Sequence, residues 1–111
     1  MESGKIIKGS LSTIILQLLE NNGAMYGYEM TKAVKEGSED KMKITEAALY
    51  PALHKLEAEG LLSVETERFG NRPRKYYSIT PGGVAEMAIR LEELEEFIRH
   101  MQMLLNPKLS F

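Results

Sequence analysis

Positive side chains cluster in the stretch RFGNRPRKYYSIT, at positions 68 to 80. Arg68, Arg72, Arg74 and Lys75 place four cations within eight residues, and no Asp or Glu lies among them. Guanidinium and ammonium groups bind phosphate oxygens through charge-assisted hydrogen bonds. On a nucleic acid they would contribute affinity through the release of counterions. The alternative is an ordinary solvated turn, since charged hairpin tips are common.

Only the middle third of the chain carries a net positive charge. The 111 residues carry a formal net charge of −2, but residues 41–80 hold seven Lys/Arg and five Asp/Glu, a net charge of +2. Residues 1–40 (four against six) and 81–111 (three against five) each carry −2. A surface that binds a polyanion would therefore be local, and a mildly acidic protein can provide it.

Composition excludes several kinds of chemistry. The chain has no cysteine, which excludes disulfides, thiolate metal sites and cysteine nucleophiles. Neither of its two histidines, His54 and His100, lies in a motif for a metal ligand or a catalytic base. We therefore expect no catalytic residue, no metal and no cofactor, and predict that the protein is not an enzyme. Because the chain shows no apolar signal core and no membrane-spanning run, we expect one soluble, cytoplasmic domain without a membrane partner.

Two helices are predicted in the first forty residues. Ser10 is the expected N-cap of the first, which ends at Asn21-Asn22-Gly23. Its apolar positions recur at helical spacing: Leu11, Ile14, Ile15, Leu18 and Leu19. The second helix lies in YGYEMTKAVKE, with Tyr26, Met30, Ala33 and Val34 on one face and Gly37 at its end. Residues 42–44 (Met-Lys-Ile) are expected to form a very short strand.

The segment TEAALYPALHKLEAEG predicts a third helix, capped by Thr45 and closed by Gly60. The expected buried stripe is Ala48, Leu49, Ala52, Leu53 and Leu56. Pro51 costs about 3 kcal/mol inside a helix. Either the first turn is therefore irregular, or the regular helix begins near Tyr50.

A β-hairpin is predicted next. The stretches LLSVETERF and RKYYSIT alternate between apolar and polar residues, which predicts two strands. Leu62 and Val64 share one face of the first strand, Tyr77 and Ile79 share one face of the second, and one of Tyr76 and Tyr77 is expected to be buried. Gly70-Asn71 is the turn signal between them. Thr80-Pro81 then supplies an N-cap and an N1 proline for a last helix.

The last helix carries the most regular apolar pattern in the chain. Apolar residues alternate spacings of three and four, as in a coiled-coil seam: Val84, Met87, Leu91, Leu94, Ile98, Met101 and Leu105. From residue 83 to 105 the helix would be about 34 Å long at 1.5 Å per residue. One small domain offers it little surface, so we expect the seam to form a homodimer interface. The alternative is that the helix packs back on its own domain.

The order of elements is that of a winged helix-turn-helix. The predicted fold is mainly α with a small β-hairpin wing, consisting of a DNA-binding domain over residues 1–80 and a C-terminal dimerisation helix over residues 81–111. In this architecture the third helix enters the major groove and the wing meets the DNA backbone or the minor groove. The candidate DNA-binding residues are Lys43, Thr45, Tyr50, His54, Lys55, Arg68, Asn71, Arg72, Arg74 and Lys75. For Tyr50, core packing is the alternative.

The strings KGSL, ILQLL, YGYEM, LYPALHKLEAEGLL and RKYYSIT follow one another in an order and spacing that resembles the PadR-like transcriptional regulators. The similarity extends over nearly the whole chain, and LYPALHKLEAEGL and RKYYSIT are its most specific parts. The resemblance implies a homodimeric regulator, usually a repressor, that binds double-stranded DNA at dyad-symmetric operators. It also implies that proline is tolerated at position 51, and the single C-terminal helix is similar to the compact branch of the family.

Two features depart from the family pattern. Glu46, at the start of the presumed recognition helix, suits the helix dipole but would repel phosphate. The chain has no tryptophan, which some compact members use to bind planar drugs at the dimer centre. We expect a small hydrophobic or aromatic effector instead at a pocket of Met87, Phe97 and Met101, although methionine at such positions is more often ordinary core. The alternative function is a winged-helix protein-interaction module without DNA binding.

Overall fold

The computed structural model describes residues 3–106, with side chains from residue 10 onward. This part of the chain measures 57 Å along its longest axis. Its elements are α1 (Ser3–Asn22), α2 (Gly27–Gly37), α3 (Glu46–Ala58), β1 (Leu62–Phe69), β2 (Arg72–Ile79) and α4 (Pro81–Leu105). The predicted mainly α fold with one β-hairpin is confirmed.

The core lies where α1, α2, α3 and the base of the hairpin meet. Leu11, Ile15 and Leu19 of α1 are buried as their helical spacing predicts. Leu16, which lies outside that stripe, is also fully buried. The reason is that α1 contacts α3 on one side and α4 and β2 on others, so a wider face of the helix is covered than a surface helix would bury.

The predicted start of α1 is wrong. Ser10 lies inside the helix and is half-buried, whereas the helix begins at Ser3. Extending an existing helix by a turn adds one hydrogen bond for each residue that is ordered, so a capping residue alone does not stop it. The predicted end is confirmed, because Gly23 follows the helix with a φ of 77°.

The predicted strand at residues 42–44 is also wrong. Met42 and Ile44 do turn inward, but their backbone forms a loop in which the Met42 amide donates to Ser38 Oγ at 2.8 Å. The open edge of β2 is occupied by Met25 instead. Its amide donates to the Tyr77 carbonyl at 3.1 Å and its carbonyl accepts from the Tyr77 amide at 2.9 Å.

Pro51 neither distorts the first turn of α3 nor delays its start. The helix begins at Glu46, and Thr45 caps it by accepting from the Ala48 amide at 3.2 Å. The carbonyl that a residue-51 amide would have reached belongs to Ala47. Both residues are exposed, so water can hydrate that carbonyl at low cost.

The hairpin and the start of α4 form as predicted. Phe69 pairs with Arg72 across the two-residue Gly70-Asn71 turn, and Gly70 has a φ of 63°. Thr80 caps α4 by accepting from the Gly83 amide at 3.0 Å, and its hydroxyl donates to the Gly60 carbonyl at 2.8 Å. This cap therefore also joins α4 to the end of α3.

Candidate nucleic-acid interface

Helix α3 presents a polar face opposite its buried stripe. Leu49, Leu53 and Leu56 are buried in the core, whereas His54 and Lys55 are exposed. Tyr50 lies one turn before His54 and is 38% exposed. Its phenol ring packs against Gly27 at the start of α2, so it is partly a packing residue and partly open to solvent.

The predicted wing cations lie on two faces of the hairpin, because side chains alternate along a strand. Lys75 shares its face with the buried Tyr77, and Arg68, which pairs with Pro73, lies on the same side. Arg72 and Arg74 lie on the opposite face. Among the residues that the structure describes, none of these cations forms an ion pair.

A cleft of about 330 Å³ separates α3 from the wing. It brings together four of the predicted residues, namely Tyr50, His54, Arg74 and Lys75. The complete lining is Tyr26, Gly27, Tyr50, His54, Pro73, Arg74, Lys75 and Tyr77. No carboxylate is among these lining residues. The cleft therefore combines aromatic surface, an imidazole and the positive charges of Arg74 and Lys75. Because positive charge attracts phosphate, this lining suits a nucleic acid better than a cationic partner.

Tyr77 closes the floor of this cleft. It is 1% exposed, and this burial raises the pKa of its phenol above the ordinary value of 10.0. The negative charge of Glu57 and the nearby Tyr50 hydroxyl raise the pKa further. The Tyr77 phenol is therefore protonated and uncharged near physiological pH.

Arg74 differs from the other wing cations in being half-buried. Its guanidinium carbon lies 4.4 Å from the centre of the Tyr26 ring and 4.8 Å from the centre of the Phe69 ring. A place near the tip of a charged hairpin predicts an exposed side chain, and for Arg74 this prediction is wrong. Tyr26 and Phe69 were not among the predicted site residues. The only sequence signal was the cross-strand position of Phe69 near Arg74, and nothing local points to Tyr26.

A second groove, of about 590 Å³, separates α2 from the loop before α3. The predicted Lys43 lines it together with Lys32, Lys35 and the exposed Tyr28, none of which was predicted. Asp40 and Glu36 also line it, so its charge is mixed. Lys43 is therefore placed apart from Tyr50 and His54. The remaining predicted residues, Thr45, Lys55, Arg68, Asn71 and Arg72, are all exposed.

The predicted seam on α4 changes character along the helix. Met87 packs against the core of its own chain, and Leu91 and Leu94 are half-buried. Beyond them Ile98 is 47% exposed and Leu105 is 74% exposed. Val84 and Met101, the other two seam residues, are 37% and 36% exposed. The outer half of α4 thus carries apolar surface that the described part of its own chain does not cover.

A family model described as the transcriptional regulator PadR-like family matches residues 15–89. The chain belongs to this family. The family consists of transcriptional regulators, not enzymes, and the winged-helix fold found here is the one its members share. The match includes α2, α3 and the hairpin, which are the elements that build the cleft.

Individual relatives of this PadR-like chain agree with the assignment. It is 37% identical over 67 residues to a transcriptional regulator of Mycobacterium tuberculosis, covering 60% of this chain and 63% of that protein, so the chain matches less than two thirds of that relative's length. A transcriptional regulator from Clostridium thermocellum is 31% identical with a TM-score of 0.80, over 96% of this chain and 99% of that one. Bacillus subtilis PadR in complex with operator DNA is 32% identical with a TM-score of 0.66, over 73% of this chain and 46% of that one.

The described residues offer neither a metal cluster nor a membrane-spanning helix. No group of three or more His, Asp or Glu residues within them is placed to hold a metal ion. None of the helices in residues 3–106 is both long and apolar enough to cross a membrane.

Proposed function

We propose that this PadR-like protein is a sequence-specific DNA-binding repressor that a small-molecule effector releases from its operator. The observation that carries the proposal is the cleft between α3 and the wing. Tyr50 and His54 there present groups that can contact base edges, and Lys75 and Arg74 add positive charge next to them. The likeness to Bacillus subtilis PadR, which was solved in complex with operator DNA, supports DNA binding by this chain.

The contacts divide by the kind of DNA group that they reach. We assign base contacts to Tyr50 and His54 of α3, with Lys55 at the edge of the groove. The wing residues Arg68, Asn71, Arg72 and Lys75, together with Lys43 and Thr45, are assigned to phosphates. Phosphate contacts supply most of the affinity and little of the specificity.

We infer a homodimer, and the apolar surface of α4 supports it. Residues 81–111 would form the dimerisation helix and residues 1–80 the DNA-binding domain. The exposure of Ile98 and Leu105 supports this division, because such a continuous apolar helix face is costly in water. Two recognition helices related by a two-fold axis reach half-sites about one helical turn apart, which predicts a dyad-symmetric operator.

The effector is proposed to be a small hydrophobic or aromatic molecule held by Met87, Phe97 and Met101. Ten residues separate Met87 from Phe97, which is about 15 Å along the helix axis. A pocket that uses both would therefore have to be completed by the second subunit. The protein would act in the cytoplasm, where the chromosome lies.

Binding to duplex DNA tests the proposal. We would first enrich a duplex from a random pool with the wild-type protein (the selected duplex) and compare it with the unselected pool of the same length (the random duplex). Each phosphate contact adds about 0.9 to the slope of log K against log salt concentration. The Arg72→Ala variant should reduce that slope by about 0.9 on both duplexes. Arg99→Ala, which removes a cation from α4 that is paired with Glu96, is the matched control.

His54 gives the corresponding test of base reading. His54→Ala should weaken binding to the selected duplex by about 1–3 kcal/mol and leave the random duplex nearly unaffected. Failure of the wild-type protein to enrich or bind any duplex at low salt would instead favour the protein-interaction module.

A further inference from the structure

The Arg74 guanidinium lies over two aromatic rings near the tip of the wing. The guanidinium carbon lies 4.4 Å from the centre of the Tyr26 ring and 4.8 Å from the centre of the Phe69 ring. Tyr76 supports both rings, since its own ring centre lies 5.4 Å from that of Tyr26 and 6.3 Å from that of Phe69. An arginine that contacts aromatic rings through cation–π interactions can still donate its N–H groups to another partner.

The backbone fixes the position of the Tyr26 ring. Met25 exchanges two hydrogen bonds with Tyr77, which places the next residue, Tyr26, beside Tyr76 on the same face of the sheet. The Tyr26 amide also donates to Glu29 Oε1 at 3.0 Å in the first turn of α2. The ring over Arg74 is therefore attached to the helix-turn-helix and not to the wing.

The Phe69 ring comes from the wing itself. Glu67 is the cross-strand partner of Arg74, and Phe69 is the diagonal neighbour of Arg74 on the same face. Although Glu67 is directly opposite, the guanidinium forms no ion pair with it and lies over Phe69. Phe69 is 49% exposed at the end of β1, so contact with Arg74 and Tyr76 accounts for an aromatic residue near the tip.

We propose that Tyr26 and Phe69 are positioning residues that hold Arg74 in one orientation, so that Arg74 discriminates between DNA sequences and is not merely a source of salt-dependent affinity. The proposal rests on the DNA-binding function given above and adds a specificity determinant to it. A free arginine on a hairpin tip loses side-chain conformational entropy when it binds. Contact with two rings already restricts the Arg74 side chain before binding, so the further loss is smaller. The contact with Tyr26 also joins the wing to the N-terminus of α2. Arg68 and Arg72 are exposed and have no such stack among the described residues.

The first test measures the stack in the full-length protein without DNA. Protons over an aromatic face are shifted upfield, so the Arg74 Hδ and Hε resonances of the wild type should be clearly upfield of those of Arg72. Tyr26→Leu and Phe69→Leu should each move the Arg74 signals toward their Arg72 values. Tyr26→Phe keeps the ring and should preserve the shift. Unshifted Arg74 signals in the wild type would overturn the proposal.

The second test separates discrimination from charge. On the selected duplex, Tyr26→Leu, Phe69→Leu and Arg74→Lys should each lose at least about fivefold in affinity relative to the random duplex, with the salt slope unchanged. Arg74→Lys keeps the charge but loses the planar fork. Tyr26→Phe should bind as the wild type does. Arg72→Ala should show the reverse pattern, with a lower slope and an unchanged ratio.

Two other outcomes have distinct meanings. Leucine variants that lose affinity equally on both duplexes, or that lower the salt slope as Arg72→Ala does, would overturn the positioning role while leaving DNA binding intact. A wild-type protein that binds no duplex would overturn the proposed function, and with it the specificity role of Arg74.

Discussion

Gly27 lies directly against the phenol ring of Tyr50. A Cβ atom built on Gly27 would stand 2.5 Å from the Tyr50 hydroxyl oxygen and 3.0 Å from the ring carbon that carries it. The first residue of α2 is therefore part of the surface that sets the position of the Tyr50 side chain on α3. This relationship also explains why Tyr50 is only 38% exposed although it lies on the polar side of its helix.

Gly27→Ala should move Tyr50 without unfolding the protein. The clash falls on the end of a side chain that can rotate toward solvent, so we expect a stability loss of no more than about 1–2 kcal/mol. Affinity for the selected duplex should fall by about 1–3 kcal/mol, because a displaced Tyr50 loses its base contact. Gly37→Ala is the control, since a Cβ there meets nothing within 4 Å. Unchanged discrimination in Gly27→Ala would exclude Tyr50 from base reading.

Gly83→Ala should destabilise the fold strongly. A Cβ at this position would collide with the backbone carbonyl of Leu61, which cannot move aside as a side chain can. We expect a loss of about 2–3 kcal/mol in the free energy of unfolding, measured by urea denaturation. Gly82→Ala is the matched control, because its Cβ would make only ordinary contacts at 3.7 and 3.9 Å. Equal stability of the two variants would contradict the close docking of α4 on the turn after α3.

Ile98→Glu should dissociate the proposed dimer. Ile98 is 47% exposed in a single chain, so the substitution leaves the fold of the subunit intact but places an unpaired charge in the subunit contact. His100→Glu adds a charge at an exposed position two residues away, on the other side of α4, and should leave assembly unchanged. Sedimentation velocity measures both. A dimer that persists in Ile98→Glu would show that the seam is not the subunit interface.

The buried phenol of Tyr77 predicts a loss of stability in alkaline solution. Its pKa is raised in the folded state, chiefly by burial, with Glu57 and Tyr50 adding to the effect. The neutral phenol therefore favours the folded state fully below the ordinary pKa of 10.0. As the pH rises above that value, the unfolded chain releases the proton first, and the free energy of unfolding falls by at most about 1.4 kcal/mol per pH unit.

Tyr77→Phe isolates this effect from the lysines that titrate in the same range. The variant cannot ionise at position 77, so its free energy of unfolding should fall less steeply between pH 9 and pH 11.5 than that of the wild type. Denaturant titrations at several pH values would measure the difference. Identical pH dependence in the two proteins would mean that the phenol of Tyr77 is not shielded from solvent.

Much of the fold could be predicted from the sequence because it depends on local chemistry. Thr45 and Thr80 are caps whose hydroxyls reach amides three residues ahead, so their role is readable from their neighbours. Gly70-Asn71 determines the two-residue turn, and alternation then places Tyr77 and Ile79 on the same face of the hairpin. The concentration of positive charge in the wing is likewise a property of the sequence. The sequence does not indicate which of these cations would discriminate between DNA sequences.

Other features were decided only by tertiary structure, because they join segments that are distant in sequence. Met25, and not residues 42–44, pairs with the free edge of β2. A free strand edge can pair with any extended segment, and the packing of α1 and α2 brings Met25 to it. The irregularity expected from Pro51 was overridden in the same way, because burial of Leu49 and Leu53 outweighs one lost hydrogen bond. Arg74 contacts rings from α2's N-cap and from β1, and no spacing rule relates positions 26 and 74. A stacked guanidinium requires three separate backbone segments to be placed within a few ångströms of one another, and only the packed core supplies that placement.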